Sequence, residues 1–176
     1  MSKVIETRTL YRASTVDKVQ EEERTIDLAF SSEEPVERRF GMEVLDHDPK
    51  SIRLGRLRGS GALLVNHNPD DLVGKVETVE VADRVARAKV RFGKSDRANE
   101  IFQDVKDGIR SGVSVGYQIH KLTEEGEKDS SVFRATDWEP MEISLVSIPS
   151  DATVGVGRSE DGEAIETQIQ YLERDI

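Results

Sequence analysis

The sequence predicts an α+β domain built on a β-sheet or barrel, and two patterns along the chain carry this prediction. Several segments alternate apolar and polar residues with a period of two, which is typical of half-buried β-strands. One segment, which begins near Ser95, instead repeats its apolar residues at helical spacing. Six or more strands with one internal helix indicate this fold class.

The first part of the chain predicts two strands separated by a polar connection. The strands cover residues 4–13 and 24–31, and the connection covers residues 14–23. In the second strand, Ile26, Leu28 and Phe30 lie on one face and Thr25, Asp27 and Ala29 on the other, so that the first face enters the core. Residues 35–47 follow as a hairpin or a loop, because charged residues interrupt the apolar ones.

The middle of the chain predicts a turn followed by three strands. The turn signal is Gly59-Ser60-Gly61, and residues 62–65 form a short buried strand directly after it. Residues 72–81 and 84–92 form two longer strands joined at Ala82-Asp83.

An amphipathic helix follows, with Ser95 or Asp96 as its N-cap and Gly112 just past its end. Its apolar face consists of Ala98, Ile101, Phe102, Val105 and Ile109. Three strand-like segments come after it: residues 113–119, 132–135 and 142–148.

The length and charge predict one domain, residues 1–157, followed by an acidic tail or linker, residues 158–176. The chain has 176 residues and a net charge of −10. Six acids and one base between Ser159 and Ile176 contribute half of that charge. Ile165, Ile169 and Leu172 lie on one face if the tail is helical, and the alternative is a disordered linker.

The composition argues against several classes of function. An acidic chain without a basic stripe does not favour nucleic-acid binding. No apolar run is long enough to cross a bilayer as a helix, and the N-terminus lacks the apolar stretch of a secretory signal. The absence of cysteine fits a cytosolic protein and excludes disulfides and a thiolate nucleophile. No nucleotide-binding glycine motif is present, and the sequence implies no cofactor.

Two segments supply the essentials of acyl-transfer chemistry. Residues 64–68 place His67 at the end of a short apolar run, and residues 111–117 place Ser114 between two glycines. A histidine can act as general base for a serine nucleophile. Each signal has an ordinary alternative: His67 as a turn residue beside Asp70 or Asp71, and Ser114 as an ordinary strand residue.

A third segment offers a carboxylate to orient the histidine. Glu142 shares a strand face with Ser144, and an acid on a face that is apolar further along needs a partner. Asp137 or Glu139 could fill the same role from the preceding loop, and Ser111 is a competing hydroxyl.

A metal site is a weaker alternative. His47 is flanked by Asp46 and Asp48, but neither His47 nor His67 belongs to a helical ligand pair, and His120 stands alone. The order of histidine, serine and acid therefore makes a serine protease the leading interpretation.

At these residues the sequence resembles the prohead (capsid maturation) serine proteases of tailed bacteriophages, a family considered related to the herpesvirus assemblin proteases. The matching segments are residues 63–67, 73–76, 111–117 and 142–149, in the family's order. The resemblance covers roughly residues 25–156.

This resemblance implies His67 as general base, Ser114 as nucleophile and Glu142 as the third catalytic member. It also implies an assemblin-like fold, a small, mainly antiparallel β-barrel with flanking helices. The expected activity is cleavage of the scaffolding segment of the major capsid protein, and of the protease itself, inside the assembling prohead in the host cytoplasm. Self-association is expected, whereas contacts with nucleic acid or membrane are not. The alternative is a non-catalytic capsid assembly or scaffold protein with a protease-like fold.

Overall fold

The computed structural model describes residues 3–4, 10–38, 41–127 and 131–148. Most of these residues are in β-strands, and two short helices flank the sheet. The helices are α1 (Gly55–Ser60) and α2 (Asp96–Lys106). The strands are β1 (Lys3–Val4), β2 (Leu10–Gln20), β3 (Thr25–Ser32), β4 (Val36–Arg38), β5 (Gly41–Leu45), β6 (Ala62–Val65), β7 (Asn68–Ala82), β8 (Val85–Phe92), β9 (Gly112–Glu125) and β10 (Val132–Val146).

The ten described strands form one curled sheet in the order β1-β9-β2-β3-β8-β7-β6-β10-β5-β4. An additional pairing between β9 and β10 joins seven of them in a cycle of hydrogen-bonded neighbours. Among the described strands, only the pairs β10–β5 and β10–β6 are parallel, so the sheet is mainly antiparallel, as the family resemblance implies.

The core lies inside the curl, where the apolar faces of the strands meet. Its largest fully buried side chains include Trp138, Tyr117, Phe30 and Phe92. The indole Nε1 of Trp138 donates a hydrogen bond to the Asp46 carbonyl at 2.8 Å, which satisfies its polar group inside the core.

The helix α2 closes one side of the sheet, because its apolar face packs on strands β7 and β8. The rings of Phe102 and Phe92 lie 4.7 Å apart. The Ser95 hydroxyl accepts a hydrogen bond from the Ala98 amide, which makes Ser95 the N-cap.

The predicted end of this helix is wrong. The helix ends at Lys106, and Gly108 has a left-handed φ of +72° that stops it. Ile109, predicted on the apolar face, is 78% exposed. Gly112 does not end the helix but begins strand β9.

Two other local predictions are wrong because tertiary packing overrides them. The predicted connection over residues 14–23 is mostly strand, since β2 runs to Gln20 and its Val16 and Val19 pack against the core. The glycines of the predicted turn lie instead at the C-terminal end of helix α1, and Leu57 of this helix is fully buried.

The two strands predicted after residue 131 are one continuous strand, β10, interrupted by register shifts. The strand predicted over residues 4–13 appears as β1 and the beginning of β2, and residues 5–9 lie outside the described part. The interrupted segment 35–47 contains the hairpin β4–β5. The predicted acidic tail also lies outside the described residues.

Candidate active site

His67 occupies a two-residue turn between β6 and β7. Both turn residues have left-handed backbone angles, with φ of +50° at Asn66 and +57° at His67. Asparagine tolerates this conformation well, and such turns match the twist of antiparallel strands. The Asn66 Oδ1 atom accepts the Ser147 amide at 3.0 Å, and the Asn66 amide donates to the Leu145 carbonyl at 2.9 Å. These bonds attach the turn to the end of β10.

Ser114 lies on β9, between strands β2 and β10. Its register partners are Ala13 on β2 and Ser144 on β10. Its neighbours Val113 and Val115 point into the core, so Ser114 points to the opposite face of the strand. Gly112 and Gly116 share that face and add no side chain beside the hydroxyl. Ser114 is itself 0% exposed.

Glu142 reaches the same face because β10 contains a bulge. Pro140 pairs with Tyr117 and Glu142 pairs with the next residue, Gly116, so that Met141 is an extra residue on β10. Directly before the bulge, the even-numbered Trp138 and Pro140 are the buried residues. After it, the odd-numbered Ile143 and Leu145 are the buried ones. The bulge therefore turns Glu142 and Ser144 to the face that carries Ser114.

The three side chains form a continuous chain of hydrogen bonds. The Nε2 atom of His67 lies 2.8 Å from the Ser114 Oγ atom. The Nδ1 atom of His67 lies 2.5 Å from Glu142 Oε1. An ionised Glu142 accepts from Nδ1–H, which leaves Nε2 of a neutral ring as the acceptor for the serine proton. This arrangement can activate a serine hydroxyl as a nucleophile.

The site is partly shielded from solvent. The side chains of His67 and Glu142 are 18% and 13% exposed. Electrostatic interactions between the ring and the carboxylate are therefore less screened than at an open surface. Ser114 is fully covered, so its Oγ atom is not exposed to solvent.

The other candidate acids are occupied elsewhere. The carboxylate of Asp137 accepts two hydrogen bonds from Arg53, at 2.7 and 2.6 Å. The hydrogen bond from Arg53 is the main reason that the pKa of Asp137 is lowered. Glu139 lies 3.4 Å from the His120 ring. The structure thus brings Glu142, and neither of these acids, to His67.

The other histidines and the competing hydroxyl do not join this chain of hydrogen bonds. His47 is buried, with Nδ1 2.7 Å from the Leu45 carbonyl and Nε2 3.1 Å from the Ser31 hydroxyl. Burial lowers the pKa of His47. Ser111 is exposed just before β9 begins.

Two residues that the sequence interpretation missed support the three side chains. The Ser144 hydroxyl donates to Glu142 Oε2 at 2.8 Å and accepts the His67 amide at 3.0 Å. Asn66 holds the turn, as described above. The available signals were the i, i+2 spacing from Glu142 to Ser144 and an asparagine directly before the histidine.

Within the described ranges, no group of three or more histidine, aspartate or glutamate side chains is placed to hold a metal ion. Neither of the two helices found there has the length and apolar character needed to span a membrane.

The sequence matches one family model and is similar to two curated phage proteins. A family model described as caudovirus prohead serine protease matches residues 43–167. A "Major capsid protein" of Halomonas phage phiHAP-1 is 44% identical over 153 residues, which is 84% of this chain and 25% of that protein. A "Capsid polyprotein" of Pseudomonas phage PAJU2 is 29% identical over 119 residues, which is 64% of this chain and 16% of that protein. The chain therefore spans about a quarter or less of the length of these curated relatives.

The fold is similar to that of a solved capsid assembly protease. The structure of the bacteriophage T4 capsid assembly protease superposes with a TM-score of 0.55, over 82% of this chain and 100% of that one. The two sequences are 13% identical, so the likeness is one of fold.

Proposed function

The chain belongs to the caudovirus prohead serine protease family, and on that premise we propose that it is a serine endopeptidase with His67, Ser114 and Glu142 as its catalytic residues. The observation that carries the assignment is the position of the His67 ring. One ring nitrogen lies 2.8 Å from the Ser114 hydroxyl and the other 2.5 Å from the Glu142 carboxylate. A base held between a nucleophile and an acid is the geometry that acyl transfer to serine requires.

In the proposed mechanism, His67 removes the Ser114 proton as Oγ attacks the carbonyl carbon of a peptide bond. The imidazolium then returns this proton to the leaving amine, and water attacks the acyl-enzyme with the same ring as base. Glu142 keeps the ring in the tautomer with a proton on Nδ1 and stabilises the imidazolium. Strand β9 is paired on both sides at Ser114, so amide donors for the oxyanion come from outside this part of the strand.

The proposed substrate is the scaffolding segment of the major capsid protein, with cleavage inside the assembling prohead in the host cytoplasm. The two curated relatives support this proposal because both are named as capsid proteins and each is much longer than the matching region. We also propose cleavage of the protease chain itself and self-association. The protease domain would cover residues 1–157 and the acidic segment 158–176 would lie outside it. We propose as well that the protein is related to the herpesvirus assemblin proteases.

Labelling with a fluorophosphonate tests the assignment directly, since this probe forms a bond with an activated serine. Wild type and Ser111→Ala are expected to gain one adduct, measured by intact mass. Ser114→Ala and His67→Ala are expected to lose labelling by at least roughly 10³-fold. An adduct that persists in Ser114→Ala assigns the nucleophile elsewhere and contradicts the proposal.

The second candidate function is a non-catalytic role in capsid assembly. The observation that favours it is that the relatives are named as capsid proteins rather than as proteases. Co-expression of the chain with the phage's major capsid protein separates the two. The protease proposal expects a shortened capsid protein with wild type and an intact one with Ser114→Ala, whereas the assembly role expects an intact one with both.

A further inference from the structure

We propose that Ser144 is a positioning residue of this site, an inference that rests on the proposed protease function. Its hydroxyl holds the general base and the acid in their mutual orientation. Ser144 itself is 0% exposed and lies directly opposite Ser114 in the register of β9 and β10.

The Ser144 hydroxyl makes two hydrogen bonds, one as donor and one as acceptor. The Oγ atom donates its single proton to Glu142 Oε2 at 2.8 Å. The same oxygen accepts the backbone N–H of His67 at 3.0 Å. The N–H can only donate and the ionised carboxylate can only accept, so the direction of both bonds is fixed.

The first bond fixes the rotation of the Glu142 carboxylate. Rotation about the terminal side-chain torsion of glutamate is broad and nearly two-fold, so an unrestrained carboxylate samples many orientations. With Oε2 held by Ser144, Oε1 is directed at His67 Nδ1, where the structure places it at 2.5 Å.

The second bond fixes the backbone from which the imidazole projects. His67 has a left-handed φ of +57° in a two-residue turn, a conformation that surrounding contacts must maintain. The Ser144 hydroxyl accepts a hydrogen bond from the His67 amide. At the other residue of the turn, the Asn66 side chain accepts one from the Ser147 amide. The ring and its carboxylate are therefore held by the same atom, Ser144 Oγ.

Ser144 is distinct from the nucleophile, although the two serines face each other across the strands. The Ser144 hydroxyl donates its hydrogen bond to Glu142. The Ser114 Oγ atom, in contrast, lies 2.8 Å from His67 Nε2. Loss of the Ser144 hydroxyl is thus expected to slow the chemical step without removing the nucleophile.

The test compares Ser144→Ala with Ser144→Thr, which restores a hydroxyl, and with Ser147→Ala as a matched control. Ser147→Ala removes only the hydroxyl that accepts a bond from Arg110 at 3.0 Å. It keeps the backbone amide that donates to Asn66, so the bonds around His67 and Glu142 are unchanged. Two quantities are measured: the fluorophosphonate labelling kinetics, and the low-field proton resonance of His67 Nδ1–H in the free protein.

We expect Ser144→Ala to lower the maximal labelling rate by about 10- to 100-fold with little change in the probe concentration at half-maximal rate. The Nδ1–H resonance is expected to broaden or disappear. Ser144→Thr is expected to recover both readouts, and Ser147→Ala to leave both unchanged. If Ser144→Ala does not fold, Ser144→Cys, which keeps the size but donates weakly, takes its place.

A wild-type labelling rate together with an unchanged resonance in Ser144→Ala would overturn the positioning role. If wild type itself gains no adduct, the proposed protease function fails, and the resonance still decides whether Ser144 orients His67 and Glu142. A variant that loses the resonance supports the positioning role independently of catalysis.

Discussion

At the scale of single residues, the identity of the acid beside His67 decides which protonation states the ring can use. A carboxylate accepts only, so it favours the tautomer with a proton on Nδ1 and stabilises the positive ring that forms during proton transfer. An amide in its place carries no charge and offers both a donor and an acceptor. Replacing the carboxylate of Glu142 by an amide of the same size therefore tests the proposed mechanism.

Glu142→Gln is expected to lower the fluorophosphonate labelling rate by about 10²- to 10⁴-fold while Ser114 remains in place. The matched controls are Asp137→Asn and Glu139→Gln, which remove the charges of the two other candidate acids. Both are expected to keep the wild-type rate, because Asp137 bonds to Arg53 and Glu139 lies beside His120. A large loss in Asp137→Asn with no loss in Glu142→Gln would assign the acid differently.

At the scale of elements, a turn and a bulge bring side chains from separate strands to one place. The turn between β6 and β7 carries His67. The bulge at Met141 shifts the alternation of β10 by one residue, so that the Glu142 side chain faces His67. Without the extra residue, continued alternation from Trp138 would direct Glu142 into the core, where an unpaired carboxylate is costly.

The Asn66→Ala substitution tests the turn. A left-handed backbone costs alanine about 1–2 kcal/mol. The hydrogen bond that the Ser147 amide donates to Asn66 Oδ1 is lost as well. We expect a lower free energy of unfolding, measured by urea denaturation, and slower labelling, because His67 is displaced. Asn66→Gly removes the same side-chain bond but accepts the backbone angle, so it should be the more stable of the two. Equal stability of Asn66→Ala and wild type would contradict this account.

At the scale of the whole molecule, a buried ionic cluster holds the β4–β5 hairpin against the rest of the sheet. Glu43 on β5 is 0% exposed and accepts bonds from Arg12 on β2 at 2.9 Å and from the Tyr117 hydroxyl on β9 at 2.6 Å. The guanidinium of Arg38 on β4 lies 3.6 Å away. Burial and the Glu43 charge raise the pKa of Tyr117 to about 12, so its hydroxyl keeps the proton that it donates.

The charge on Glu43 makes the stability of the molecule depend on pH. Burial alone would raise the pKa of Glu43, but the positive charges of Arg38 and Arg12 and the bonds from Tyr117 and Arg12 outweigh burial and lower it below the ordinary value of 4.5. A lowered folded-state pKa stabilises the protein above that ordinary value, and the contribution is lost as the pH falls through the lowered value.

Glu43→Gln is therefore expected to destabilise the protein by about 3–5 kcal/mol near neutral pH, because it removes the negative charge with which the buried Arg12 is paired. Urea denaturation at about pH 7 and about pH 3.5 should also show a smaller acid-induced loss in the variant than in wild type. The exposed Glu37 on the neighbouring strand β4 provides the control Glu37→Gln, which should behave as wild type. A variant as stable as wild type at both pH values would show that the cluster contributes little.

The sequence could predict much of the fold, because strands and helices follow local patterns, and its resemblance to a known family implied the three members of the candidate site. Period-two alternation predicts β3 and β8 closely, and a short apolar run after a turn signal predicts β6. Helical spacing with a serine cap predicts the start of α2. The mainly antiparallel strands and the family membership are also confirmed. The catalytic roles of His67, Ser114 and Glu142 stay a prediction, although the structure brings these three side chains together.

What only the tertiary structure decided depends on contacts between distant parts of the chain. The phase of β10 follows from its register with β9, so no local pattern predicts that Glu142 rather than Asp137 meets His67. The role of Ser144 arises from a bond to the His67 amide across 77 residues of sequence. The strand β2 extends through a polar segment because β3 pairs with it. Side-chain periodicity is a local property, whereas strand register is fixed by the partner strand, and in this protein the register determines the site.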